Sequence, residues 1–415
     1  MHAFLGIALV VTVAWLLSET KGQVRWLPVG ITLGVQLLVA ALLLRLPVVS
    51  SALASLNVVV GAITDASRQG TAFVFDYLGG GELPFELTTE SPPFIFATQL
   101  LPQIIVFSVL VALFWYWRVL PLIIKGISWA LQKTLRIGGA VAVAAAASVF
   151  VGMVEAPMII RGYLKTITRS EFFVVITCGM STVAGSMMVL YVSVVGDVLS
   201  DTIAHVITAS LLNVLGGILI ARIMIPDDHV TGETDVEDAF KYHSSFDALT
   251  RGAMDGTKIV INIIAMLIVL ISLVALINHL MSFVVIGGGP ITLERIASWV
   301  FRPLTWCMGL SWTDSSIGSS LMGTKLMINE LVAYQQLGQV GNEMSARSNL
   351  IMTYALCGFT NLGSVGILVG GVSALVPERR KDLLSLAPRT LVSGTLVAFL
   401  TGSIVGVVSV VGPMN

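Results

Sequence analysis

Seven apolar runs dominate this sequence, near residues 2–18, 27–45, 94–117, 172–196, 203–224, 257–283 and 382–411. A helix that crosses a bilayer needs about 20 mainly apolar residues. Inside hydrocarbon every backbone N–H and C=O must be satisfied within the segment, so such runs have to be helices. Hydrophobic residues make up 56% of the 415 positions and charged residues only 11%, against about 25% charged in soluble domains. A soluble fold of this size cannot hide so much apolar surface. The fold class this predicts is an all-α polytopic membrane protein. With 23 basic and 24 acidic residues, nothing in the net charge of −1 points to nucleic acid.

The basic residues predict one threading through the bilayer. Lys21 and Arg25, then Arg118, Lys125, Lys133 and Arg136, then Lys241, Arg251 and Lys258, then Arg379, Arg380 and Lys381 all fit on the cytoplasmic side. The opposite loops carry Asp65, Asp76, Glu82, Glu86, Glu90, Asp197 and Asp201. Arg295 and Arg302 break the pattern and lie in a segment read as interfacial. Met1–Leu17 lacks a basic leader, its first positive charges following the apolar run. It therefore reads as a retained first helix with its N-terminus outside. The same threading puts the C-terminus of this multi-pass chain outside as well.

The polar stretch 226–256 divides the chain, and a weak repeat lies on either side of it. The first unit holds an amphipathic run at 119–136, a broken apolar segment around Gly152-Met153-Val154-Glu155-Ala156-Pro157, Arg169-Ser170, a Cys178-Gly179 segment and a helix to about 224. The second holds an amphipathic run at 293–310, a broken segment around Asn329-Glu330, Arg347-Ser348, Cys357-Gly358 and a last helix. The threading gives the two units opposite orientations. Inverted repeats with interrupted helices are the plan of secondary transporters, which bind substrate near the midplane.

Glu155 in FVGMVEAPMII and Glu330 in KLMINELVAY are carboxylates in apolar surroundings. At bilayer depth such a group costs a few kcal/mol and is rare without a function. The bland reading, a helix-end carboxylate in the headgroups, fits Glu155 poorly, because Gly152 and Pro157 mark a hairpin tip. The pair can accept hydrogen bonds from hydroxyls or ring N–H groups, or carry a proton. Asn361 and Ser364, three apart, suit a polyhydroxylated ligand or an interhelical hydrogen bond. Phe359 can stack on a ligand or pack, and Thr182 can serve a cation or bond back to its own helix. Cys178, Cys307 and Cys357 fit neither a disulfide framework nor a zinc site. HExxH, GxSxG and GxxxxGK[ST] are all missing, which removes the signatures of zinc peptidases, hydrolase elbows and P-loops. No cofactor is expected.

GMVEAP, KLMINELVAY and CGFTNLGSVG resemble the three signature regions of the concentrative nucleoside transporter family. The resemblance runs over nearly the whole chain, including Pro377-Glu378-Arg379-Arg380. It implies a homotrimer with eight transmembrane helices, two re-entrant hairpins and two broken helices per chain. Scaffold helices would occupy 1–118 and 257–283, transport-domain repeats 119–225 and 291–415, and a cytoplasmic linker 226–256. The hairpins would be 139–167 and 311–338, with the unwound segments at Thr182 and Asn361. By the same resemblance Glu155 faces the base, with Gly152, Met153, Val154 and Met187 around it. Glu330, Asn361 and Ser364 hold the ribose, and Phe359 lines the pocket.

Two departures from the family pattern carry expectations of their own. Met153 and Val154 stand where the family usually has Gln and then Thr or Ser, which predicts a ribosyl substrate with altered base selectivity. Sodium-coupled relatives place Asn where this chain has Ser148, with Val151, Thr182 and Val183 at the other coupling-ion positions. A hydroxyl residue there resembles proton-coupled members, so a proton is the expected coupling cation and sodium the alternative.

Overall fold

The computed structural model describes residues 2–45, 47–86, 94–195, 202–227, 240–286 and 289–409. Glu90, Asp197, Asp201, His229 and the core of the linker at 228–239 lie outside them. The described chain is mostly helical. It begins with α1 (His2–Leu16), α2 (Trp26–Arg45), α3 (Pro47–Phe75) and α4 (Gln103–Tyr116). Next come α5 (Val119–Leu135), α6 (Gly139–Ala147), α7 (Glu155–Ile159), α8 (Arg169–Ser181), α9 (Gly185–Val195) and α10 (Thr202–Met224). After α11 (Ser245–Met281), the same order of elements returns. It runs through α12 (Leu293–Met308), α13 (Asp314–Met327), α14 (Glu330–Val340), α15 (Ala346–Leu356), α16 (Leu362–Leu375) and α17 (Arg380–Val408). A two-residue antiparallel ribbon pairs Val285 with Pro290 and Ile286 with Gly289, a small β element that the all-helical expectation omits.

Among the described residues, six helices are long and apolar enough to span a bilayer: Trp26–Arg45, Phe96–Tyr116, Arg169–Met188, Thr202–Met224, Ser245–Met281 and Pro377–Val408. α10, α17 and the Arg169–Met188 stretch are enclosed by other helices, whereas α2 and α11 leave most of their apolar surface uncovered. Ile261, Ile268, Leu276 and Leu280 on α11 are all exposed. A helix that is apolar on its outer face is stable against lipid and not against water.

Two elements differ from the sequence reading. α3 occupies a stretch taken there as a loop carrying Asp65, because Ser, Asn, Asp, Arg and Gln interrupt its apolar residues. α11 begins at Ser245, inside the stretch assigned to the linker. Ser244 starts it by accepting the Asp247 amide on its hydroxyl (3.1 Å), and Asp247 and Arg251 pair one turn apart at 2.8 Å. A capped first turn with an i,i+4 ion pair is helical despite its polarity.

The interruptions within the repeats have local causes. At α8 a capping box forms, Thr168 accepting the Glu171 amide and Glu171 the Thr168 amide. Thr182 ends α8, its hydroxyl donating back to the Cys178 carbonyl at 2.9 Å. In the second repeat α15 stops at Cys357, and Gly358 follows at φ 129°, a conformation that glycine alone adopts without strain. Asn361 restarts the chain as α16 by accepting the Ser364 amide (2.8 Å).

Candidate functional site

The two breaks lie against each other. The Phe359 amide donates to the Thr182 carbonyl at 3.1 Å, and the Thr360 hydroxyl to the Met180 carbonyl at 2.8 Å. Asn213 on α10 spans both, its side-chain amide donating to the Ser181 and Cys357 carbonyls at 2.9 Å each. Thr401 on α17 donates to the Asn213 oxygen (2.7 Å) and so holds that amide in register. These bonds satisfy carbonyls that the interrupted helices would otherwise leave bare in an apolar medium. Gly358 packs on the Ser181 backbone, where a Cβ would collide.

Beside the breaks is a cavity of about 550 Å³, within the usual range of small-molecule sites of about 300–1,000 Å³. One wall is the turn between α6 and α7, with Gly152, Met153, Val154 and Glu155. A Cβ on Gly152 would strike the Glu155 carboxylate, so the glycine makes room for it. Met187 lines the cavity from α9. The facing wall is Glu330 at the start of α14, with Phe359, Asn361 and Ser364 around the second break. All nine residues singled out for substrate thus border one space. Of the coupling-ion positions Val151 borders it too, while Ser148, Thr182 and Val183 are buried behind.

Glu330 is the most elaborately held of these residues. It is 3% exposed. Asn329 caps α14 by accepting the Val332 amide at 2.9 Å, which sets Glu330 on the first turn. The Tyr191 hydroxyl donates to one carboxylate oxygen and the Asn361 amide to the other, both at 3.0 Å. Tyr191 stacks on Tyr334, with ring centres 4.5 Å apart, and the Tyr334 hydroxyl donates to the Thr353 carbonyl at 2.6 Å. Each carboxylate oxygen keeps lone-pair capacity for a ligand hydroxyl beyond the donor it already has.

Several residues here escaped the sequence reading. Tyr191 and Tyr334 sit in apolar runs and look like packing. Asn213 is a lone amide in a 23-residue apolar helix, a signal that was there to be read. The third side of the cavity comes from α11 and the end of the linker, through Tyr242, Asp255, Lys258, Asn262 and Met266. Burial, then the Asp255 charge, raise the Tyr242 phenol above its ordinary pKa, so it is a neutral hydrogen-bonding group. Lys258 also borders the cavity, paired with Asp255 at 3.5 Å; it stands far from Glu155 and Asn361 in sequence and reaches the site only through folding. Lys325 is buried five residues before Glu330.

Interrupted helices that meet beside a mostly apolar cavity with a few convergent polar groups, in a multi-pass helical protein, define the class of membrane transporters. Residues 205–406 match the family described as Na+ dependent nucleoside transporter C-terminus, residues 5–78 its N-terminus, and 97–198 the Gate family, described as nucleoside recognition. The chain is 32% identical to an uncharacterized transporter of Haemophilus influenzae, over 98% of this chain and 97% of that one. It is 31% identical to nucleoside permease NupC of Helicobacter pylori, over 98% and 97%. The solved structure of CNTnw in an inward-facing substrate-bound state superposes with a TM-score of 0.89 at 34% identity, covering 98% of both chains. A substituted CNTnw in an outward-facing state gives 0.89 at 33% identity, over 100% of this chain and 98% of that one. The chain belongs to the concentrative nucleoside transporter family.

Proposed function

We propose that this chain imports nucleosides by alternating access, driven by a proton gradient, as a homotrimer in the bacterial inner membrane with both termini outside. The observation that carries the reading is the cavity between the α6–α7 turn and Glu330, with Asn361 and Ser364 beside the carboxylate. The ribose hydroxyls bind at Glu330, Asn361 and Ser364, and the base lies toward Glu155, Met153 and Val154. Residues 119–225 and 291–415 act as the moving transport domain, with α6–α7 and α13–α14 as re-entrant hairpins. Residues 1–118 and α11 form the scaffold on which three copies assemble. The cavity borders Tyr242, Asp255 and Lys258, next to the linker assigned to the cytoplasm, which fits an inward-open state.

Proton coupling is favoured by Ser148, a hydroxyl residue at the position where sodium-coupled relatives place an asparagine. Sodium coupling is the second reading, favoured by the family's description as Na+ dependent. Either cation has to bind the substrate-loaded state more tightly, since coupling is a reciprocal free energy between two sites.

The deciding experiment is uptake of radiolabelled uridine and adenosine into vesicles carrying wild type or Glu330→Gln, with sodium and pH gradients imposed separately. Accumulation that follows the pH gradient and disappears with Glu330→Gln supports the proposal. Uptake that follows sodium replaces the proton, and no accumulation of either compound under any gradient removes the nucleoside.

A further inference from the structure

The wall that faces the α6–α7 turn supplies polar groups that the turn itself lacks. Met153 packs on Gly179 of α8 and Val154 on Gly371 of α16, so both side chains are held against neighbouring helices. Beyond Glu155, the turn offers a base no side-chain donor or acceptor. Across the cavity α11 presents a stripe of Asp255, Ile259, Asn262, Met266 and Leu270. Their spacing of four, three, four and four residues puts them on one side of the helix. Both ends of the stripe can be located. Met266 and Leu270 lie against Gly363, between Asn361 and Ser364 in the second break. Asp255 is close enough to Glu155 for its charge to act there. Asn262, one turn or about 6 Å from Met266, therefore lies between the ribose end and the base end of the proposed site.

Asn262 is the one polar residue in the apolar run 259–270. It borders the cavity, and its side chain makes no hydrogen bond to another described residue. The amides of Asn213 and Asn361, by contrast, are held on both sides by protein groups. An unpartnered amide in an apolar helix is costly unless water or a ligand meets it. Lys258 and Asp255, one and two turns nearer the linker, pair with each other and are largely exposed. We propose, resting on the nucleoside reading above, that Asn262 reads the edge of the base and is a specificity-determining residue. A carboxamide presents a donor and an acceptor side by side, which matches an N–H next to a ring nitrogen or a carbonyl. Adenine, cytosine, guanine and uracil each have such an edge. The amide can turn over to match either order, so Asn262 accepts all four and rejects a base whose edge has lost its N–H.

The test is inhibition of labelled uridine uptake by unlabelled analogues, in vesicles carrying wild type, Asn262→Leu or Asn262→Ala, under the gradient that drives the wild type. The analogues are 3-methyluridine, which loses the ring N–H of uridine, and purine riboside, which loses the amino group of adenosine without added bulk. Wild type should bind uridine about tenfold better than 3-methyluridine, and adenosine about tenfold better than purine riboside, the scale of one hydrogen bond. In both variants these ratios should fall to about one, while the preference for uridine over 2′-deoxyuridine keeps its wild-type value. A merely structural role would weaken all these ligands together or leave them all unchanged. A variant that retains the wild-type base ratios overturns the proposal, as does a wild type that fails to distinguish the analogues. Loss of the 2′-hydroxyl preference together with the base ratios overturns it too. Should one variant fail to insert, the ratios of the other decide. A wild type that takes up neither uridine nor adenosine under any gradient removes the nucleoside reading itself, a result distinct from a failure of Asn262.

Discussion

The Asn361 side-chain amide donates to Glu330 across 3.0 Å, and its carbonyl oxygen accepts the Ser364 amide at 2.8 Å. One side chain thereby starts α16 and fixes the carboxylate of a different helical pair. Movement of α13–α14 relative to the second break has to stretch or break that bond, so ligand contact and helix geometry are coupled at this residue.

Replacing Asn361 with Ala should therefore damage binding more than folding. Loss of a hydrogen bond to a charged group costs about 1.5–3 kcal/mol, and loss of the cap costs about 1 kcal/mol of helix stability. The expected result is a uridine KM raised about tenfold or more, with a small fall in thermal stability in detergent. A wild-type KM would remove Asn361 from the site.

Tyr191→Phe isolates the second donor to Glu330. The ring and its stacking on Tyr334 remain, and only the hydroxyl 3.0 Å from the carboxylate is lost. A KM increase of about tenfold is expected, from about 1.5 kcal/mol of lost charge-assisted hydrogen bonding. Competition assays should show the same loss for all nucleosides, because the affected contact is assigned to the ribose.

Met153→Gln combined with Val154→Thr should change base preference and leave the ribose requirement intact. The two positions border the cavity opposite Glu330 and carry no side-chain hydrogen-bonding capacity to match a base edge. A new polar contact of about 1–1.5 kcal/mol would sharpen discrimination between bases about tenfold. Identical inhibition profiles for wild type and the double variant would show that the base lies elsewhere.

Gly358→Ala should be far more harmful than Gly366→Ala or Gly370→Ala. Gly358 is at φ 129° with the Ser181 backbone against it, while a Cβ on either other glycine meets open space. Left-handed strain of about 1–2 kcal/mol adds to the steric conflict between the two breaks. Melting of the purified variants in detergent should rank Gly358→Ala well below the other two, which should stay close to wild type.

Much of the architecture was legible because membrane helices announce themselves by length and apolarity. The runs at 27–45, 203–224 and 382–411 correspond to α2, α10 and α17. Polarity hid the start of α11, whose first turns are stabilised by a cap and an ion pair. It also hid α3, whose polar residues interrupt the apolar pattern. At the site, Glu155 and Glu330 stood out because a carboxylate is anomalous in an apolar run. Tyr191, Tyr334, Asn213 and Lys325 did not, since a tyrosine or a single polar residue in a membrane helix is often only packed or paired within it.

The sequence by itself determined the solvent, the helical class, the order of two repeats and the carboxylates worth watching. All of these follow from local composition and spacing along one segment. The tertiary structure decided which groups meet. It put Asn361 and Tyr191 on the two oxygens of Glu330, Asn213 between both breaks, and Lys325 on the end of α15. Those contacts join residues 30 to 144 positions apart, and their energies depend on distance in space, which no periodicity along the chain encodes.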